Sequence, residues 1–289
     1  MERTHLPSTH LTGSLGPVAV RETVCKTVLN RSGISDYSLN CYTGCAHACV
    51  YCYARSMQRF HPHAEAWGKF VDVKVNAVET LTRQLRRAHP GAVFVSSACD
   101  GWQPLEAERR LTRRCCELLL PRGFEVHVLT KSDLVLRDFD VFAGRRVQIG
   151  TTVTALDDRL QALWEPGAAP IDRRFHVIEE ARRAGLSTSV MFGPLLPSLS
   201  DDPASIEALL QRAAELQIDS IWVDALNARP RVWPSVAELL RREFPGLCGS
   251  YRRLLFDRAT REAYLAELGR RVRTSARRVR IGDRVRVCF

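Results

Sequence analysis

Short runs of β-branched and other apolar residues alternate along this chain with longer stretches in which apolar positions recur every three or four residues, and the alternation repeats about six times. The short runs have the character of buried strands, the longer ones that of helices with one apolar face. Residues 35–40 are predicted as the first strand, with a helix from about Tyr53. Val78, Leu81, Leu85 and Ala88 then line one face of a helix ending near Pro90, and residues 92–97 form the second strand. Leu111, Cys115, Leu118 and Leu119 mark the next helical face, followed by strands at 125–130 and 146–152. A helix around 173–184, a strand at 187–192, a helix opened by Asp201-Asp202-Pro203 and a strand at 220–223 complete the repeat. The two aspartates suit the positive end of a helix dipole.

Strands and helices in regular alternation predict parallel βα units. Six units are too few for a closed eight-stranded barrel but enough for a partial one, so the expected fold class is α/β, a partial (β/α)6 TIM-like barrel. Residues 1–34 are expected to be a polar leader wandering over the surface, and 35–228 the barrel. In 229–289 the pattern changes to arginine-rich helices and then, at 278–289, to alternating valines around Gly282-Asp283 that suggest a small hairpin, together a C-terminal helical and hairpin extension. In such barrels the chemistry gathers at the C-terminal ends of the strands.

With 45% hydrophobic and 26% charged residues the chain is globular in composition and lacks the apolar depletion of a disordered one. Residues 1–22 lack the apolar block of a secretory signal, and no run approaches the roughly 18 apolar residues of a membrane span. A cytoplasmic location without a membrane partner is expected. The net charge of +10, from 42 basic and 32 acidic side chains, suits an anionic partner such as nucleic acid. Much of it lies in arginines scattered over predicted helices, as on any solvated basic surface. Ten cysteines in a chain of this size and compartment point to metal binding before a disulfide framework.

Four of those cysteines fall between positions 41 and 52. Cys45, Cys49 and Cys52 form C-x3-C-x2-C directly after the first predicted strand, a spacing that can fold three thiolates around one cubane cluster and leave its fourth iron without a protein ligand. Zinc prefers a closed set of four ligands, commonly two separated pairs. Cys41 would complete such a set on paper, so zinc stays open. His47, inside the loop, reads as a solvated or hydrogen-bonded residue. The Cys45–Cys52 loop, with the aromatic Tyr51 before its last cysteine, resembles the signature of the radical S-adenosylmethionine (SAM) superfamily.

More narrowly, Tyr42-Thr43-Gly44-Cys45-Ala46-His47-Ala48-Cys49-Val50-Tyr51-Cys52-Tyr53-Ala54-Arg55 resembles the spore photoproduct lyase-like branch, also called DNA repair photolyase-like. Gln103-Pro104-Leu105-Glu106, Thr130-Lys131-Ser132 with Arg137-Asp138, and Glu165-Pro166 followed by Arg174 and Ala184-Gly185 extend the likeness, which runs from about Cys25 to about Ala228. The chain departs from the branch at two positions. Members commonly carry proline in place of Cys41 and often threonine in place of Cys99.

The resemblance implies a partial barrel of the radical SAM type with a [4Fe–4S] cluster on Cys45, Cys49 and Cys52, and SAM at the open iron. An electron from a reducing donor such as flavodoxin or ferredoxin then splits SAM, and the 5′-deoxyadenosyl radical takes hydrogen from the substrate. It further implies Tyr51 against the adenine, Asp100 and its loop near the amino acid end of SAM, Lys131 paired with the carboxylate and Thr152 at the ribose. Cys99 is the candidate that returns a hydrogen atom to the product radical; its ordinary alternative is a small buried hydrophobe. A DNA lesion is one candidate substrate, and a small molecule, peptide or RNA another. A non-enzymatic iron–sulfur or zinc-dependent nucleic acid-binding protein is the alternative of a different class.

Trp102, Tyr53 and Phe60 with nearby arginines are candidates for a stacking surface. Of Cys115 and Cys116, adjacent on a predicted helix, one is expected to line the core and the other to pack elsewhere. Cys41 is expected behind the cluster or as a redox-sensitive bystander, and Cys25, Cys248 and Cys288 as structural.

Overall fold

The computed structural model describes residues 9–13, 16–60, 62–227, 229 and 231–289. The six predicted strands form close to where the pattern puts them. They are β1 (Tyr37–Leu39), β2 (Ala92–Val95), β3 (Glu125–Thr130), β4 (Val147–Val153), β5 (Ser187–Leu195) and β6 (Ser220–Ala225), parallel and side by side in chain order. Leu39 stands beside Val95, Val95 beside Val128, and Val128 beside Ile149. This row is buried in one apolar cluster with Leu119 and Val177 from the helices that cover it. Removing one such side chain from water contributes roughly 1.5–3 kcal/mol, so each strand is held to its neighbours and to the helix layer together.

The covering helices are α1 (Ala77–Gln84), α2 (Leu111–Leu119), α3 (Ile171–Arg183) and α4 (Pro203–Glu215). Asp202 starts α4 as its sequence suggests, its carboxylate accepting the Ala204 and Ser205 amides, both at 3.0 Å. After β6 come α5 (Val232–Glu243), α6 (Cys248–Phe256) and α7 (Arg258–Arg278). Among the described residues no helix is long and apolar enough to cross a membrane.

Three expectations are corrected. The leader does not simply wander: Gly16–Thr23 is a strand with Val18 and Val20 buried, running parallel to Phe70–Lys74 in a second, four-stranded sheet that also takes in Tyr42–Thr43. Its partner lies some fifty residues away, so the pairing has no local signature. The helix expected from Tyr53 is a 3₁₀ helix, Tyr53–Arg59. The C-terminal hairpin is a single strand, β7 (Val285–Val287), parallel to β6 with Trp222 beside Arg286. Its alternating valines meet a strand formed much earlier in the chain. Leu268, Val272 and Ala276 of α7 pack with Ile206, Leu209, Leu210 and Ala213 of α4, so the C-terminal segment shares its core with the barrel.

Candidate active site

All the predicted site residues sit at the C-terminal ends of the barrel strands or in the loops that leave them. The chain exits β1, pairs briefly through Tyr42–Thr43 and enters the cysteine loop, where Cys45 and Cys49 are buried and Cys52 is half-buried. The loop is held from several sides. Gln103 accepts the Ala46 amide at 2.9 Å and donates to the Gly44 carbonyl at 3.4 Å. The Val50 amide donates to the Trp164 carbonyl at 2.9 Å, and the Gly167 amide to the His47 carbonyl at 3.0 Å. A Cβ at Gly167 would lie 2.3 Å from the Ala46 carbonyl oxygen, and one at Gly44, whose φ is +84°, would lie 2.5 Å from that of Phe70. Glycine permits both approaches.

His47 is not solvated. It is buried with Nδ1 3.3 Å from Asp100 Oδ2. Asp100 Oδ1 accepts the Trp102 amide at 2.9 Å and the Thr130 hydroxyl at 2.7 Å, while Oδ2 accepts the Lys131 amide at 2.8 Å. Burial alone would raise this carboxyl, but His47 and the hydrogen bonds outweigh it and hold Asp100 well below the usual carboxylate range. One carboxylate thereby ties the ends of β2 and β3 to the cysteine loop. With both oxygens engaged inside the protein, Asp100 acts by holding its loop in place.

A second buried charge system orients Tyr51. Its hydroxyl donates to Glu165 Oε1 and lies 3.2 Å from Thr154 Oγ1, which donates to the same oxygen at 2.8 Å. Glu165, 1% exposed, is met by the fully buried Arg174, whose Nη1 lies 2.5 Å from Oε2. Arg174 also donates to the carbonyls of Thr152 at 2.9 Å and Ala169 at 2.7 Å. Burial opposes ionisation of Glu165, yet Arg174 and Lys131 keep it below its ordinary value. Burial and the neighbouring Glu165 push the Tyr51 phenol up, so it stays protonated. Lys131 Nζ stands 5.7 Å from the centre of the Tyr51 ring. Tyr51 and Lys131 thus stand close together, and Arg174 links the Thr152 carbonyl to the carboxylate that holds Tyr51. In the sequence Gln103, Glu165 and Arg174 were visible only as family likeness without a role, and Thr154 and Gly167 carried no signal.

Cys99 joins the cysteine loop from β2. It is half-buried against the apolar cluster of Cys45, Ala54, Trp67 and Phe70, and its thiol donates to Asn40 Oδ1 at 3.9 Å. Asn40 also accepts the Ala98 amide at 2.8 Å and donates to Ser97 at 3.1 Å, which fixes this loop to the end of β1. Burial pushes the Cys99 thiol up to about 12, with Lys74 opposing, so it carries its proton at neutral pH. Behind the loop, the sulfurs of buried Cys41 and Cys115 are 3.7 Å apart. Cys115 and Cys116 are both buried in the same cluster, so neither packs elsewhere. Trp102 is buried with its indole N–H donating to Asp138 at 2.8 Å, which removes it from any stacking surface. Tyr53 and Phe60 remain 55% and 60% exposed.

Burial of the loop opposes the thiolate forms that a cluster would need, and nearby cations favour them. Burial raises all three thiols, Cys49 to about 12, and Lys131 opposes this at Cys49 and Cys52. Arg55 donates from Nη2 to the Cys49 carbonyl at 3.3 Å, while its Nε is buried without a partner. Such an orphaned donor fits a site that an acceptor completes. Among the described residues no three His, Cys, Asp or Glu side chains are gathered closely enough to hold a single metal ion. A cluster assignment therefore rests on the loop and the family. A cavity of about 810 Å³ opens at the opposite mouth, lined by His127, Gln148, Trp222 and Arg286 among others, well away from the cysteines.

A sequence model of the family described as the radical SAM superfamily matches residues 39–210. The chain belongs to the radical SAM superfamily. It is therefore an enzyme of a class that in general uses SAM and a [4Fe–4S] cluster. An uncharacterised protein of Methanocaldococcus jannaschii is 33% identical over 169 residues, covering 58% of this chain and 63% of the relative. One from Mycobacterium tuberculosis is 29% identical over 251 residues, 82% of this chain and 74% of the relative. A radical SAM Nalpha-GlyT isomerase of Pseudomonas phage M6 is 25% identical over 210 residues, 69% of this chain and 41% of the relative. Among solved structures, a spore photoproduct lyase mutant with bound AdoMet and dinucleoside spore photoproduct superposes with a TM-score of 0.69 at 14% identity, over 93% of this chain and 82% of that one. At that identity the likeness is one of fold, the radical SAM barrel.

Proposed function

We propose that this radical SAM enzyme holds its cluster on Cys45, Cys49 and Cys52, seats SAM with Tyr51, Lys131 and Thr152, and acts on a lesion or modified base in nucleic acid, with Cys99 as hydrogen-atom donor. The observation that carries this is the Cys99 thiol held beside the cysteine loop at the ends of adjacent strands. When bound, the cluster supplies the electron, drawn from flavodoxin or ferredoxin, that cleaves SAM and starts hydrogen abstraction. The chain's own tasks are placement and shielding. Gln103 and Gly167 fix the loop, Asp100 holds the strand ends together, and Glu165 sets the Tyr51 ring. Lys131 offers a cation for the SAM carboxylate, and Thr152 a hydroxyl near the ribose. At Cys99 a hydrogen atom would leave Sγ for the substrate carbon radical, and one electron from the same flavodoxin or ferredoxin with one proton from solvent would restore the thiol.

A nucleic acid substrate is favoured by the net charge of +10 and by exposed Tyr53 and Phe60, the latter with Arg59 4.4 Å above its ring. The dinucleoside held by the similar lyase structure supports the same class. The test is anaerobic reconstitution followed by reaction with unlabelled SAM and a panel of lesion-bearing oligonucleotides deuterated at their carbon positions. Deuterium passing from an oligonucleotide into 5′-deoxyadenosine is expected. Intact SAM would overturn the cluster assignment, and SAM cleaved without any change in nucleic acid would overturn the substrate class.

A further inference from the structure

We infer that Arg55 sets the reduction potential of the cluster, acting as a cation held on the Cys49 segment of the loop that binds it. This rests on the proposal that Cys45, Cys49 and Cys52 are the ligands. Arg55 lies three residues beyond Cys52 on the Tyr53–Arg59 3₁₀ helix, a tight turn that brings its side chain back over the loop. Nη2 of the half-buried guanidinium donates to the Cys49 carbonyl at 3.3 Å, and its charge favours the thiolate form of Cys52. Glu238 of α5 is the carboxylate that acts on it, and no acidic group among the described residues forms an ion pair with it. Its Nε is buried without a hydrogen-bond partner.

A buried N–H left unpaired is costly, and a cluster or thiolate sulfur would supply Nε with an acceptor. Reduction adds one negative charge to the cluster. A nearby cation and a hydrogen bond to sulfur both favour that state, and partial burial weakens screening by solvent. Lys131 also acts on Cys49 and Cys52, but its ammonium lies over Tyr51 where SAM is expected. Arg174 also acts on Cys49, but it is paired with the buried Glu165.

The competing account makes Arg55 a clip for the Cys49 carbonyl and nothing more. Arg55→Gln keeps a donor without the charge, and Arg55→Lys keeps the charge. Full-length protein, reconstituted anaerobically without SAM, is titrated potentiometrically and followed by EPR. At the same potential, R55Q is expected to show a reduced-to-oxidised cluster ratio about tenfold below that of wild type, a shift of about 59 mV for a one-electron couple. R55K is expected to stay close to wild type. A wild-type midpoint in R55Q, or an equal shift in R55K, overturns the inference. Should R55Q fail to load iron, wild-type protein carrying ¹⁵N-arginine decides: an arginine nitrogen coupled to the reduced cluster is expected, and its absence overturns the inference. A wild-type protein that takes up no cluster would instead sink the ligand assignment.

Discussion

Arg174→Met is the sharpest test of how the Tyr51 side of the site is built. The change preserves bulk but leaves Glu165, 1% exposed, with only the Tyr51 and Thr154 hydroxyls as hydrogen-bonding partners. Breaking a buried pair by removing one partner costs about 3–5 kcal/mol. For a chain of 289 residues, unfolding entropy at about 2.1 cal/mol/K per residue gives about 0.6 kcal/mol/K, so the melting temperature should fall by about 5–8 °C. The pH dependence separates charge from packing. In the native protein burial disfavours the Glu165 charge, but Arg174 and Lys131 hold the pKa below its unfolded value near 4.3. Its stabilisation is thus complete above that pH and lost as the pH falls through the folded pKa. In the variant the same carboxyl moves up, so the penalty is full at pH 7 and shrinks as Glu165 takes up a proton. Thermal melts of both proteins at pH 7 and pH 4 measure it. No loss at pH 7, or an equal loss at both pH values, would refute the buried-charge account.

Three further outcomes are expected. Cys99→Ala should load iron and cleave SAM like wild type while giving misdirected product, and the wild-type product pattern should not change between pH 7 and pH 9 because the thiol stays protonated up to about 12; unchanged product in the variant counts against the donor role. Gly167→Ala forces a methyl group within 2.3 Å of the Ala46 carbonyl, so it should cost about 1–3 kcal/mol and reduce iron content, read by urea unfolding and iron assay. Asp100→Asn loses a carboxylate whose pKa is depressed on folding, so the acid-driven fall in wild-type stability below about pH 4 should flatten in the variant. Unfolding curves at pH 3 and pH 6 that fall in parallel for the two proteins would contradict that.

The chain alone determined the repeating βα units, the strand ends at which chemistry gathers, the three-cysteine loop and the Asp202 cap of α4, because each is a statement about neighbours within a few residues. Periodicity reports which face of a segment is buried, and it does so wherever that face meets a large core. It does not report what the face meets. Only the folded chain decided that Gly16–Thr23 runs beside Phe70–Lys74, that Val285–Val287 extends the barrel, and that Trp102 is buried. The same holds for His47 against Asp100, Glu165 against Arg174 and Tyr51, and Arg55 over Cys49. Most of these contacts join different loops and elements, and a polar side chain carries the same local signature whether it ends in water or against a buried partner. Loop closure and burial choose between the two, and both are properties of the assembled barrel.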